Sequence, residues 1–341
     1  MTLPTLTDPH KRASVYDTER STLALDPTLF LNAPLLRHAT LIDGAASWAE
    51  AIGQAGLDFE VVKHPVAFRN DNEGYTRVAE VFATVRTDQN RALGLVKDRY
   101  AIVQNRVAGD LIDTLLDDGS AKIVAAGSFK HGAIGFSIAR IPADVLIAGE
   151  AVHSFLVLSW SHDGTRPLTA TVQMIRAACA NVLPAIIGSR SKDASLRWSM
   201  RHVGSIDGRI VAARQALAIG FTAASDLVAV ANGLLARKMT IDDLRAFTVE
   251  LIPNPKGDDA DLATTTANRR DAILTLAVGA PNLANVRGTA WAALNAVAEY
   301  ADHSMTARNT KQTTSAENRA ASIFGGQAAR LKARALAILT G

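Results

Sequence analysis

Cysteine occurs once in 341 residues, at Cys179. A single thiol excludes an internal disulfide framework and any all-cysteine zinc site. Long apolar runs are missing as well: nothing approaches the roughly 18 uninterrupted residues of a membrane-spanning helix, so no membrane partner is expected. The first ten residues contain acid and proline where a secretory leader needs a basic end and an apolar run, and a cytoplasmic location is the expectation. There is no glycine fingerprint for a dinucleotide and no Walker-type phosphate loop; Gly325-Gly326 stands alone. No His-Glu-x-x-His occurs, no serine sits in a nucleophile-elbow context, and no repeat of roughly 20–50 residues points to a solenoid. No cofactor and no metal are expected from this pattern, and the balance leans away from an enzyme.

What is present is an ordinary folding chain. Hydrophobic residues make up 48% and charged residues 20%, enough to bury a sizeable core. The net charge of +3 is modest, but it is unevenly placed. Residues 186–214 hold six basic side chains against Asp193 and Asp207. The tail from Met305 holds Arg308, Lys311, Arg319, Arg330, Lys332 and Arg334 against Glu317. These two surpluses exceed that of the whole chain, so the remainder is acidic.

Periodicity predicts strands first and helices after. Residues 1–35, rich in Thr, Pro and Asp, read as an extended or mobile arm. Residues 36–204 read as a strand-rich α+β domain and 205–341 as a helical region packed on it. Residues 47–56 predict a short helix with Trp48 and Ile52 on one side. Residues 59–69 and 75–86 predict two strands around a polar turn, and 93–103 a third. A helix over 104–118 follows, with Val107, Leu111 and Leu115 on its apolar face. Residues 122–129, 133–141, 152–160 and 168–175 predict further strands, with a loop at 142–150. Imperfect alternation over 152–157 predicts burial on both faces. Helices are expected over 206–235, 241–251, 271–278, 289–303 and 316–339, with a capping box at Thr240–Asp243 and a loop at 253–261. The order predicts an α+β fold: a mainly antiparallel sheet in the N-terminal half, then a helical C-terminal half.

The late helix is the most informative stretch. Trp291, Asn295, Glu299 and Asp302/His303 recur at helical spacing along one side. Leu294, Val297, Tyr300 and Ala301 fall on the other, which is expected to pack, with Tyr300 meeting the strand domain. The polar stripe reads either as a face that hydrogen-bonds neighbouring loops or as part of a pocket. His162-Asp163-Gly164-Thr165 reads as a hairpin turn. Cys179, three positions after Arg176, reads as a small buried residue rather than a reactive thiol. Residues 188–204 lack apolar periodicity, so they read as a loop, and they carry Trp198 between Arg197 and Arg201. Guanidinium and hydroxyl groups suit phosphate oxygens, and an aromatic ring suits a base.

Four stretches, residues 93–105, 162–165, 175–183 and 288–303, resemble the phage/plasmid-like family catalogued as domain of unknown function 932. The resemblance covers roughly residues 90 to 340 and implies a product of mobile elements. A sheet followed by helices with basic loops is also loosely similar to single-strand annealing proteins of the Rad-fifty-two type, at the level of fold only. The leading expectation is a homo-oligomer that binds single-stranded DNA through Arg190, Lys192, Arg197, Trp198 and Arg201, with Arg308 and Lys311 as further contacts. It would promote annealing or recombination without nucleotide hydrolysis. The competing readings are an enzyme with a polar pocket of Arg176, Asn181, Asn295, Glu299 and His303, and a structural or regulatory module that touches no nucleic acid. A closed cleft uniting Glu299, His303 and His162 would favour the enzyme.

Overall fold

The computed structural model describes residues 14–15, 34, 39–45, 47–71, 73–109, 112–114, 121–177, 181–183, 197–200, 224–255, 257, 260–311 and 313–341. Antiparallel strands fill the first half and helices the second, so the fold is α+β. The strands are β1 (Ser14–Val15), β2 (Thr40–Leu41), β3 (Val61–Arg69), β4 (Tyr75–Arg86), β5 (Arg91–Lys97), β6 (Lys122–Phe129) and β7 (Ile134–Arg140). They continue with β8 (Val145–Ile147), β9 (Glu150–Ser161), β10 (Leu168–Arg176) and β11 (Arg197–Met200). Two short helices, α1 (Trp48–Gln54) and α2 (Asn105–Ala108), lie among them. After them come α3 over 224–236, α4 (Ile241–Leu251), α5 (Ala260–Gly279), α6 (Ala290–Glu299), α7 (Ser315–Gly325) and α8 (Gln327–Thr340).

β9 is the centre of an eight-stranded sheet. Along one edge it pairs with β10 from Val152↔Arg176 to Ser159↔Thr169. Its other edge pairs first with β8 and then with β7. The expected burial on both faces is present: Leu156, Leu158 and Trp160 join one core, and Phe155 and Val157 join another with Phe129, Phe136 and Ile323. A central strand must be apolar on both sides when helices cover both faces. The loop expected at 142–150 instead contains β8, which turns into β9 through Ala148 and Gly149 at φ 52° and 83°. Positive φ at both central residues is the hairpin geometry that matches strand twist.

β3, β4 and β5 form a separate three-stranded sheet. Its inner end abuts the β9–β10 turn so closely that a Cβ on Gly94 would lie 2.6 Å from Asp163 Cβ. The Asp163-Gly164 turn is as expected: Asp163 Oδ1 accepts from the Thr165 N–H at 3.0 Å and Gly164 has φ 77°. At the outer end of this sheet Phe68 and Tyr75 are exposed.

Several boundaries differ from the sequence reading. The third strand ends at Lys97, and within the expected 104–118 helix Ala108 and Ile112 are buried while Val107 is exposed. The helix expected over 271–278 runs from Ala260 to Gly279. Residues 197–200 are a strand on β10, where a loop was expected, because β10 has an edge left to pair. The capping box at Thr240 and Asp243 is present, with both reciprocal hydrogen bonds.

Helix α6 departs most from expectation. Every residue from Ala290 to Ala298 is buried, so both of its sides pack. Five alanines let neighbours approach all round, as in a helix that is apolar on every face. Tyr300, expected to meet the strand domain, lines a cleft among helices with Leu251, Arg269 and Leu331. The side of α6 turned to the strands is the polar one, because buried Arg176 and Asn181 there require hydrogen-bonding partners.

Candidate functional site

The five residues expected to form a polar pocket meet in one hydrogen-bonded network. Arg176 ends β10, and the chain then doubles back, so that Ile175 bridges Val182 and the Arg176 N–H reaches the Asn181 carbonyl at 3.1 Å. The Arg176 guanidinium donates to Asn295 Oδ1 at 3.0 Å, to Glu150 Oε2 at 3.0 Å through Nε, and to the Asn282 carbonyl at 3.2 Å. Asn181 donates to Glu299 Oε2 at 2.9 Å, and Asn282 donates to the same oxygen at 3.2 Å. With its amide nitrogen so engaged, Asn181 Oδ1 accepts from His303 Nε2 at 3.0 Å, which places the proton on Nε2.

A π-helical turn over Tyr300–Ser304 follows α6 and brings Asp302 into the same cluster. Asp302 accepts from the Val182 N–H at 2.9 Å and from Lys332 Nζ at 2.7 Å. Lys332 also donates to the Val182 carbonyl at 2.8 Å. Both side chains of the pair are at most 1% exposed. Burial raises the Asp302 carboxyl above its ordinary range, and Lys332 and the Val182 N–H offset only part of that. The sequence reading counted Lys332 among the basic residues of the tail; in the fold it is an internal cation from α8. Nothing in its local spacing distinguishes it from Arg330 or Arg334.

The network engages its own polar groups. Among the described residues, its side chains do not appear among the buried polar atoms that lack a partner. It therefore ties Arg176, Asn181 and Val182 to α6, α8 and the 3-10 helix Pro281–Val286 that carries Asn282. A cavity of about 500 Å³ adjoins it, lined by Glu150, Arg176, Asn282, Asn285, Trp291 and the β8–β9 turn. Among the described residues, no three His, Cys, Asp or Glu side chains gather to hold a metal ion.

His162 belongs to a different cluster. It follows the far end of β9, ten residues from Val152, the partner of Arg176, which is on the order of 30 Å along a strand. The cleft uniting Glu299, His303 and His162 does not form. His162 is fully buried, and its Nε2 lies 2.8 Å from Asn105 Oδ1, which also accepts from Trp160 Nε1 at 2.8 Å. Asn105 in turn donates to the Leu57 carbonyl at 2.9 Å and accepts from Trp48 through its own carbonyl at 2.9 Å. Sequence reasoning missed Asn105 as the hub of this cluster, although it closes the 93–105 stretch that carried the family resemblance. Among the described residues His162 Nδ1 has no hydrogen-bond partner, and desolvation pushes the pKa down to about 4.

Of the expected nucleic-acid contacts, Arg190, Lys192 and Arg201 lie outside the described residues, as does Cys179. Arg197 and Trp198 occupy β11, in register with Thr171 and Ala170 of β10.

The basic tail forms a definite surface. Two adjoining cavities, of about 410 and 460 Å³, share Met305, Thr306, Gln327 and Arg330. Arg308 and Arg319 line the first, and Arg269 and Arg334 the second. Among the described residues, no carboxylate lines either one. Arg319 donates to the Asp302 carbonyl and Arg334 to the Glu250 carbonyl, contacts that leave their charges uncompensated. None of the five arginines is ion-paired among the described residues.

A family model described as a domain of unknown function (DUF932) matches residues 92–323. The chain belongs to this family. No curated protein and no solved structure matches it. The DUF932 segment contains Arg176, Asn181, Asn295, Glu299 and His303, and of the second cluster Asn105, Trp160 and His162 but not Trp48 or Leu57. Strands β3 and β4, Lys332, Arg330 and Arg334 lie outside it.

Proposed function

We propose that this DUF932 protein binds single-stranded DNA through its sugar–phosphate backbone. In this reading it acts as a homo-oligomer that promotes annealing or recombination of phage or plasmid DNA, without hydrolysing nucleotides. The observation that carries the reading is the arginine groove: Arg269, Arg308, Arg319, Arg330 and Arg334 line adjoining cavities that, among the described residues, contain no carboxylate. Five uncompensated positive charges at one surface repel one another, and a polyanion relieves that repulsion. Guanidinium groups are suited to phosphate because their planar fork offers paired donors. Arg197 and Trp198 on edge strand β11 are further candidate contacts. Arg190, Lys192 and Arg201 stay in the proposal on sequence grounds.

The enzyme reading is weaker for a physical reason. Arg176, Asn181 and Glu299 are engaged with one another and with backbone groups, so they serve the fold before any ligand.

The test is fluorescence anisotropy with a labelled oligothymidine over a salt series. Five phosphate contacts predict a log–log slope of roughly −3.5. Replacing Arg308 and Arg330 with alanine should make the slope shallower by about 1.4 and weaken binding to all sequences alike. Sizing with and without oligonucleotide checks the assembly. Absence of binding at low salt, where attraction is strongest, overturns the proposal.

A further inference from the structure

The outer half of the three-stranded sheet is exposed along Ala67–Arg69 and Tyr75–Arg77. Cross-strand partners share a face, so Arg69 lies with Tyr75, and Ala67 with Arg77 one pleat further in. Beyond the irregularity between Pro65 and Ala67, Lys63 Nζ and Arg77 Cζ each lie over the Phe82 ring at 5.4 Å. Tyr75 and Phe82 thus alternate with Arg69, Arg77 and Lys63 along one side of the ribbon. Tyr75 is 78% exposed, and its side chain has no hydrogen bond or ring partner among the described residues. The Arg69–Glu73 contact at 3.6 Å is loose, with both side chains largely in water, and neutralises little.

At 78% exposure the Tyr75 ring buries little surface for the fold. An exposed ring flanked by guanidinium groups suits a partner that offers an aromatic plane and negative charge at short repeat. Unpaired nucleotides do so: the base stacks on the ring and the flanking phosphates meet the cations. A duplex hides its base faces and offers phosphates and groove edges instead. We infer that this face of β3 and β4 is a base-stacking platform for single-stranded nucleic acid, with Tyr75 against a base and Arg69 and Arg77 against neighbouring phosphates. The inference rests on the single-strand binding proposed above and adds a contact made with bases, outside the DUF932 segment.

Two measurements on the full chain test it. Ultraviolet cross-linking to a bromodeoxyuridine oligonucleotide should mark the peptide that contains Tyr75. In anisotropy, Tyr75→Ala should weaken oligothymidine binding by about 5- to 150-fold with the salt slope nearly unchanged, and Tyr75→Phe should bind as the parent does. Arg77→Ala should make the slope shallower by about 0.7. Because Tyr75 is exposed, its variants should melt as the parent does. If oligothymidine binds and responds to Arg308 and Arg330 but not to Tyr75 or Arg77, this inference falls and the groove reading stands. If Tyr75→Ala weakens blunt duplex as much as single strand, the stacking role falls. If the parent binds no single strand at all, both fall.

Discussion

Replacing Lys332 with methionine tests how the helical half is fastened to the strands. The substitution keeps most of the apolar stem and removes the ammonium, which donates to Asp302 at 2.7 Å and to the Val182 carbonyl at 2.8 Å. Asp302 is left fully buried, with the Val182 N–H at 2.9 Å and no cation. Breaking a buried ion pair from one side costs about 3–5 kcal/mol, because the remaining charge stays desolvated. The group can escape part of that cost by taking a proton, since its carboxyl is already raised by burial. A raised acid binds more protons folded than unfolded, so the Lys332→Met deficit should shrink as pH falls from 8 towards 5. Adding Asp302→Asn keeps an acceptor for the Val182 N–H and removes the stranded charge, so the double variant should recover most of the loss. Urea denaturation at both pH values, followed by tryptophan fluorescence, gives the comparison. A Lys332→Met variant within about 1 kcal/mol of the parent, or a double variant as unstable as the single, would refute the reasoning.

Two other predictions bear on stability. His162 is held neutral in the fold, with a pKa of about 4 against 6.5 for a free imidazole. Its contribution is complete above pH 6.5 and lost as pH falls from 6.5 to 4, a drop of about 3 kcal/mol, because the unfolded chain takes the proton first. His162→Gln should flatten that part of a stability–pH curve, and a curve unchanged by the substitution would contradict the assignment. Gly135 lies under Trp160, where an added Cβ would fall 2.3 Å from the indole. Gly135→Ala should therefore lower stability by about 1–3 kcal/mol in a thermal melt, through overpacking at the β7–β9 pair.

The sequence by itself determined what local chemistry controls. The order of strands and helices, the Thr240–Asp243 cap and the Asp163-Gly164 turn were legible because each depends on residues a few positions apart. Chemically distinctive side chains on the late helix also marked Asn295, Glu299 and His303 before their partners were known. What they contact was decided by tertiary structure. Asn295 and Glu299 meet Arg176 and Asn181 from more than a hundred residues away, and hydrophobic periodicity carries no information at that range. For the same reason spacing did not separate Lys332 from the other basic residues of the tail. The chain needed an internal cation for Asp302, and the polar side of α6 was the one that could satisfy Arg176. The arginine groove shows the same division: composition revealed a basic tail, but only the packing of α7 and α8 against the turn at Met305 brought Arg308, Arg319 and Arg330 to one cavity and sent Lys332 inside.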